Sequence, residues 1–188
     1  MEADQYSHVH NKAFTKDELF VLQPRLAEAH TQGKVQVKDS HAIVSIVKGM
    51  TFVLVELESE EALGMVSLAG KSLVVEGLDQ GWNKTFIGTY FFVRMGESDD
   101  GVTRLRTRMI EGPLEDPATG SAASDLAAYL SQKAGEASKT FKYAIVQGVE
   151  MGRRSEIFIE VETNEDATVS QLFLEGGAVQ VMEGRLTI

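Results

Sequence analysis

The chain contains no cysteine in its 188 residues. That absence excludes disulfides, thiolate metal sites, CxxC redox chemistry and any cysteine nucleophile or cysteine acid–base pair. It fits a reducing compartment, and the cytosol is the expected address. No apolar run approaches the roughly 20 residues that a helical membrane span needs. The first stretch, Met1–Lys16, is polar and carries acids and histidines, without the apolar core of a signal peptide. Basic residues are few: 18 Lys and Arg stand against 28 Asp and Glu, a formal net charge of −10. No dense basic run interrupts that balance, so nucleic acid is not an expected partner. Gly176-Gly177 does not extend into a GxGxxG fingerprint, and Ser121 sits in neither a GxSxG elbow nor an SxxK motif. His8 and His10 would face one way on a strand. With no third ligand evident in the sequence, they read as part of a polar terminal tail, and no metal is expected.

What is present describes an ordinary globular chain. Apolar residues make up 43% and charged residues 24%, enough apolar surface to offset ordering entropy. The length allows one domain or a little more. Thr15-Lys-Asp-Glu reads as a helix cap followed by first-turn acids, opening a helix over Lys16–His30 that Pro24 kinks or splits. His41–Val47 and Met50–Glu58 read as strands joined at Lys48-Gly49, and Ser59 caps a short helix reaching about Leu68. Ser72–Val75, Lys84–Met95, Thr103–Ile110, Lys142–Gln147, Ser155–Thr163, Thr168–Leu174 and Ala178–Arg185 read as further strands. Between them, a helix is expected over Gly120–Gln132. From Ala118 to Leu130 its only charge is Asp125, and small residues dominate. A helix without a charged face is buried on most sides. The fold class that follows is α+β: an antiparallel β barrel or roll wrapped around a central α-helix.

The segment with the most chemical content is Asp116-Pro-Ala-Thr-Gly-Ser121. Pro117 disfavours helical backbone at Asp116 and so places it just outside the helix. Thr119, Gly120 and Ser121 fall at the helix start, where backbone amides lack intrahelical partners and the helix dipole is positive. Gly120 lets a ligand come close to the backbone. The arrangement suits a substrate carboxylate, with Asp116 beside it to take or give a proton. The commoner use of such residues is simpler: Asp116 or Thr119 capping the helix and Gly120 making the turn. Arg104, Arg106 and Arg108 share one face of their strand and could hold an anion. The first two read as a solvated face, and Arg108 is the one retained as a substrate-binding candidate.

Glu115-Asp-Pro-Ala-Thr-Gly-Ser-Ala122 resembles the signature of the phenazine biosynthesis PhzF-like family, which has the diaminopimelate epimerase-like fold. Arg108-Met-Ile with Gly112, Leu126-Ala-Ala-Tyr-Leu130, Gln147-Gly-Val-Glu-Met-Gly-Arg-Arg-Ser155, and Gly176-Gly-Ala-Val-Gln-Val with Gly184 resemble later family elements in the same order. The resemblance covers about residues 34–188. It implies two pseudo-symmetric halves, each a barrel-like sheet around a helix, with the active site in the cleft between them. It also implies a cofactor-independent isomerase in which a carboxylate moves a proton between carbons of a small carboxylic acid. By motif position Asp116 matches the family's active-site aspartate, and Gly120 and Ser121 match the helix-start pair that contacts substrate. Glu115 is the candidate second proton-handling group, and Thr119 joins the substrate-binding set. Within this superfamily the absence of cysteine excludes the two-cysteine racemases.

The family's Gly-Asn-Pro motif is missing here: Asn11, Asn83 and Asn164 each lack a preceding glycine. The first-half catalytic glutamate region is missing with it. The chain therefore reads as the second half, residues 34–188, preceded by a remnant of the first, residues 1–33. One barrel supplies one wall of a cleft. A homodimer or a separate partner half is the expected completion. The other reading is a catalytically inactive barrel that binds a small acid or a partner protein.

Overall fold

The computed structural model describes residues 7–83 and 85–185. Two short strands ahead of the first helix are built into a sheet. β1 (His8–Val9) and β2 (Phe14–Thr15) both pair antiparallel with β3 (Ser40–Val47). Thr15 then opens α1 (Lys16–Leu22) with a reciprocal capping box: its hydroxyl accepts from the Glu18 amide, and the Glu18 carboxylate accepts from the Thr15 amide. Pro24 starts a separate helix, α2 (Pro24–Thr31), so the expected long helix is split at Gln23. β3 turns at Lys48-Gly49 into β4 (Met50–Leu57), with Gly49 at φ +97°. Ser59 caps α3 (Glu60–Gly64), which is shorter than the expected helix to Leu68.

After a long connection come β5 (Phe86–Glu97), β6 (Val102–Glu111), β7 (Leu114–Asp116), α4 (Gly120–Ala134), β8 (Thr140–Gln147), β9 (Ser155–Thr163) and β10 (Val169–Gly176). The strands form one sheet in the order β1-β3-β4-β5-β6-β8-β9-β10, with β2 beside β3 and β7 beside β6. Most ladders are antiparallel. β4–β5 and β6–β8 are parallel, because each pair is joined by a crossover, the second one carrying α4. α4 touches β3 and β4 from one part of this order and β8, β9 and β10 from the other. Only a curled sheet can do that. The result is an α+β half-barrel wrapped on a central helix.

The sheet separates two cores, and strand alternation assigns side chains to each. Tyr90 and Phe92 of β5 face α4, together with Phe52, Leu54, Leu105 and Met109. Phe91 and Val93 face the other way, onto Leu19 and Leu26 of the first helices and Leu63 of α3. On α4 the small residues Ala122, Ala123, Ala127 and Ala128 are fully buried, which is what lets strands approach closely. Asp125 shares that burial. Its carboxylate oxygens have no partner among the described residues, and burial pushes the acid well above the usual carboxylate range.

Two sequence expectations are corrected. Ser72–Val75 is not a strand; Leu73 and Val75 pack singly against the outer core from an irregular segment. Ala178–Arg185 forms no strand either. β10 ends at Gly176, and Val179, Val181 and Met182 beyond it are 85–90% exposed. Their alternation has no surface to bury against among the described residues. No helix there is long and apolar enough to cross a membrane.

His41, opposite Phe14, is buried, and its Nε2 finds no partner among the described residues. Burial first, then the nearby Lys38 charge, lowers its pKa from 6.5 to about 4. The unfolded chain therefore takes up a proton on this ring before the folded chain does. Stability falls as pH drops from 6.5 toward 4, by on the order of 3 kcal/mol at most. Urea unfolding of His41→Leu across that range is expected to show a flatter pH dependence than the wild type.

Candidate functional site at the start of the central helix

The helix start is held by a buried polar chain that begins two strands away. Tyr90 on β5 is fully buried, and its hydroxyl lies 3.0 Å from both Thr107 Oγ1 on β6 and Gln147 Oε1 on β8. Burial pushes the phenol above its ordinary value, and the Asp116 charge adds to the effect. Tyr90 thus remains a neutral donor. Gln147, also fully buried, sends its amide nitrogen the other way. It donates to the Asp116 backbone carbonyl at 2.7 Å and to Thr119 Oγ1 at 2.9 Å. Thr119 passes the chain on by donating its hydroxyl to Asp116 Oδ2 at 2.7 Å.

This last bond shows what the Thr119 hydroxyl does in place of capping the helix. Thr119 occupies the N-cap position of α4, yet it makes no side-chain cap. Its hydroxyl is oriented to the Asp116 carboxylate instead. The first-turn amides therefore keep their capacity for another acceptor. Gly120 and Ser121, which carry two of those amides, are half-buried.

Arg108 and Glu115 form a second unit. The guanidinium meets the Glu115 carboxylate with two parallel bonds, Nε to Oε1 at 2.7 Å and the second amino group to Oε2 at 2.8 Å. Its remaining amino group donates to the backbone carbonyls of Leu63 and Val66 at 3.1 and 2.7 Å. A buried bidentate pair with its other donors satisfied is a rigid brace. It ties the strand before the motif to α3. Of the expected site residues, the structure groups Asp116, Thr119, Gly120 and Ser121 at the helix start. Arg108 and Glu115 are placed together, each engaged by the other. Sequence reading placed Gln147 at the head of a family-like element without assigning it a site role, and gave Tyr90 none either. Their only sequence signal is a polar side chain on an otherwise apolar strand face.

A cavity of about 740 Å³ opens beside the helix start. Its wall includes Ala118, Gly120, Arg154, Glu156, Phe158 and Leu174, while Asp116 lies outside it. Arg154 pairs with Glu156 at 2.8 Å in an exposed ion pair. Leu174 of β10 leans over the helix start: a Cβ on Gly120 would lie 2.9 Å from its Cδ2. Gly148 lets the β8–β9 connection press against the motif. A Cβ there would meet the Arg153 carbonyl at 2.4 Å and the Pro117 carbonyl at 2.8 Å.

A solved phenazine biosynthesis protein of the PhzF family from Bacillus anthracis has this fold, with a TM-score of 0.56 over 91% of this chain and 58% of that one, at 14% identity. The family profile described as phenazine biosynthesis-like protein matches residues 14–184, and the chain belongs to that family. A curated relative, an uncharacterized isomerase of Mesorhizobium japonicum, is 26% identical over 159 residues, which is 80% of this chain and 49% of the relative. The chain thus spans about half the length of the curated relative it matches.

Gly148 and Gly152 both have positive φ, +76° and +69°, but only Gly148 is hemmed in by backbone. Gly148→Ala is expected to cost about 3 kcal/mol or more, from overlap plus strain. Gly152→Ala should cost about 1 kcal/mol, from strain alone. Urea denaturation of the two variants checks the difference.

Proposed function

We propose that this chain carries the helix-start half of an isomerase-type site that moves a proton on a small carboxylic acid without a cofactor. The observation that supports this most is the Thr119–Asp116 bond, which fixes a carboxylate beside an uncapped helix start. In this reading the substrate carboxylate rests on the amides of Gly120 and Ser121. Asp116 takes a proton from the adjacent carbon and returns one to a second carbon. The electron pair left behind spreads into the substrate carboxylate, where the helix amides and dipole stabilise the growing charge. Thr119 and Gln147 hold Asp116 in line. Glu115, braced by Arg108, positions the motif strand and stands next to Asp116 as the second carboxylate. A cytosolic location accords with the lack of cysteine.

The wall is one-sided. Phe158 and Leu174 at the cavity are 44% and 53% exposed, and Val179 and Val181 beyond β10 are almost fully so. Apolar surface of that kind favours a covering partner. The reading therefore includes a second copy of this chain, or a separate half, closing the cleft and excluding water. Sedimentation at micromolar concentration is expected to give a dimer; a monomer would remove the self-association arm. The alternative is a non-catalytic barrel that binds a small acid or a protein, favoured by Asp116 lying outside the cavity wall.

Hydrogen–deuterium exchange at the carbon next to the carboxylate, followed by NMR over a panel of small carboxylic acids, separates the two. The isomerase reading expects exchange that Asp116→Asn reduces by about 10²-fold or more. Exchange that survives Asp116→Asn, or ligand binding with no exchange for any acid, would sink it.

A further inference from the structure

Away from the helix start, the first strand carries a constellation that the isomerase reading does not use. His8 on β1 and His10, one residue beyond the strand, turn their rings to one cluster. The crossover between β4 and β5 brings Asp79 to them. The three ligand-bearing atoms all lie within 4.8 Å of one another. His8 Nε2 stands 2.9 Å from Asp79 Oδ2, and His10 Nδ1 stands 3.8 Å from the same oxygen. Tetrahedral zinc, with bonds of about 2.0–2.1 Å, needs its donors about 3.4 Å apart. The two spacings to Asp79 bracket that value, and the third pair lies within 4.8 Å, close enough for side-chain rotation to seat an ion.

The surroundings select the right nitrogen on His10. Its Nε2 is 2.9 Å from Ser45 Oγ, inside a buried run of hydroxyls that continues to Thr51 at 2.6 Å and Thr85 at 2.8 Å. Its Nδ1 accepts a long 3.3 Å bond from the Asp79 amide, so Nδ1 carries the lone pair and Nε2 the proton. A histidine whose outer N–H is anchored has the support that metal ligands use, and an ion would take the Nδ1 lone pair in place of the long Asp79 amide bond. Asp79 is supported as well, accepting from the Asn11 backbone and side-chain amides. Trp82 lies flat against His8, centroids 4.5 Å apart and planes 6° apart, and edge-on to His10. The ring shields one side of the cluster from solvent.

We propose that His8, His10 and Asp79 form a binding site for a divalent transition-metal ion of the zinc class. Two imidazoles and one carboxylate suit zinc, cobalt or iron over calcium or magnesium, and they leave at least one position for water. The ion would clamp the start of the chain to the β4–β5 crossover. The site stands independently of the reaction proposed at Asp116.

Trp82 is the only tryptophan in the chain, so it reports on this site alone. Titration of the full chain with Co²⁺ is expected to quench its emission saturably, with one ion per chain. Zn²⁺ in excess should reverse the quenching, and Zn²⁺ should raise the Tm. Asp79→Asn, which keeps an oxygen near His8, and His8→Gln should each weaken Co²⁺ affinity at least tenfold. Circular dichroism should confirm that both remain folded. Absence of saturable quenching in the wild type, or unchanged affinity in both folded variants, would overturn the proposal.

Discussion

The Gln147 carboxamide is the contact on which the helix start depends. It is fully buried in the wall of the half-barrel and satisfied on both sides, by the Tyr90 hydroxyl and by the Asp116 carbonyl with Thr119. An amide so placed is costly to misplace, because each unpaired buried group forfeits its desolvation energy. The same group therefore contributes stability and fixes geometry. It holds the backbone at Asp116 against β8 and presents Thr119 with its hydroxyl committed to the carboxylate. The uncapped helix start follows from this commitment.

A second constraint acts from the other side of the sheet. Arg108 is buried, and its guanidinium reaches through to the carbonyls at the end of α3 while gripping Glu115. The motif strand is thus fastened to the outer core by a charged pair and to the inner core by a neutral amide. Between these fastenings lies the Asp116–Ser121 turn. This arrangement gives the Asp116 carboxylate a fixed position, which the proposed proton transfer requires more than a strong partner.

Much of this was legible in the sequence because it is local. Pro24 marks the break between the first helices, and Lys48-Gly49 marks the hairpin turn. The uncharged run around Asp125 announces a helix that other elements surround. The motif itself falls where Pro117 and Gly120 place it. What escaped is non-local or too short to carry a period. β1 is a two-residue strand with no alternation to read. Gln147 meets Asp116 across 31 positions, and Arg108 meets Leu63 across 45. No spacing within a strand encodes such pairings. Asp79 joins His8 and His10 for the same kind of reason. The error at Ala178–Arg185 is the converse: an alternating pattern is only a strand when a neighbouring surface accepts its apolar face.

The parallel ladders have a consequence in time. β4 cannot register against β5, nor β6 against β8, until a long crossover has closed, and closure costs entropy before any ladder bond rewards it. Gln147 sits at the last residue of β8, opposite Thr107 in the second of these ladders. The helix start is therefore among the later parts of the molecule to be assembled. Until then the facing edges of β6 and β8 stand unpaired, and the Gln147 amide lacks the Tyr90 hydroxyl that satisfies it in the finished fold.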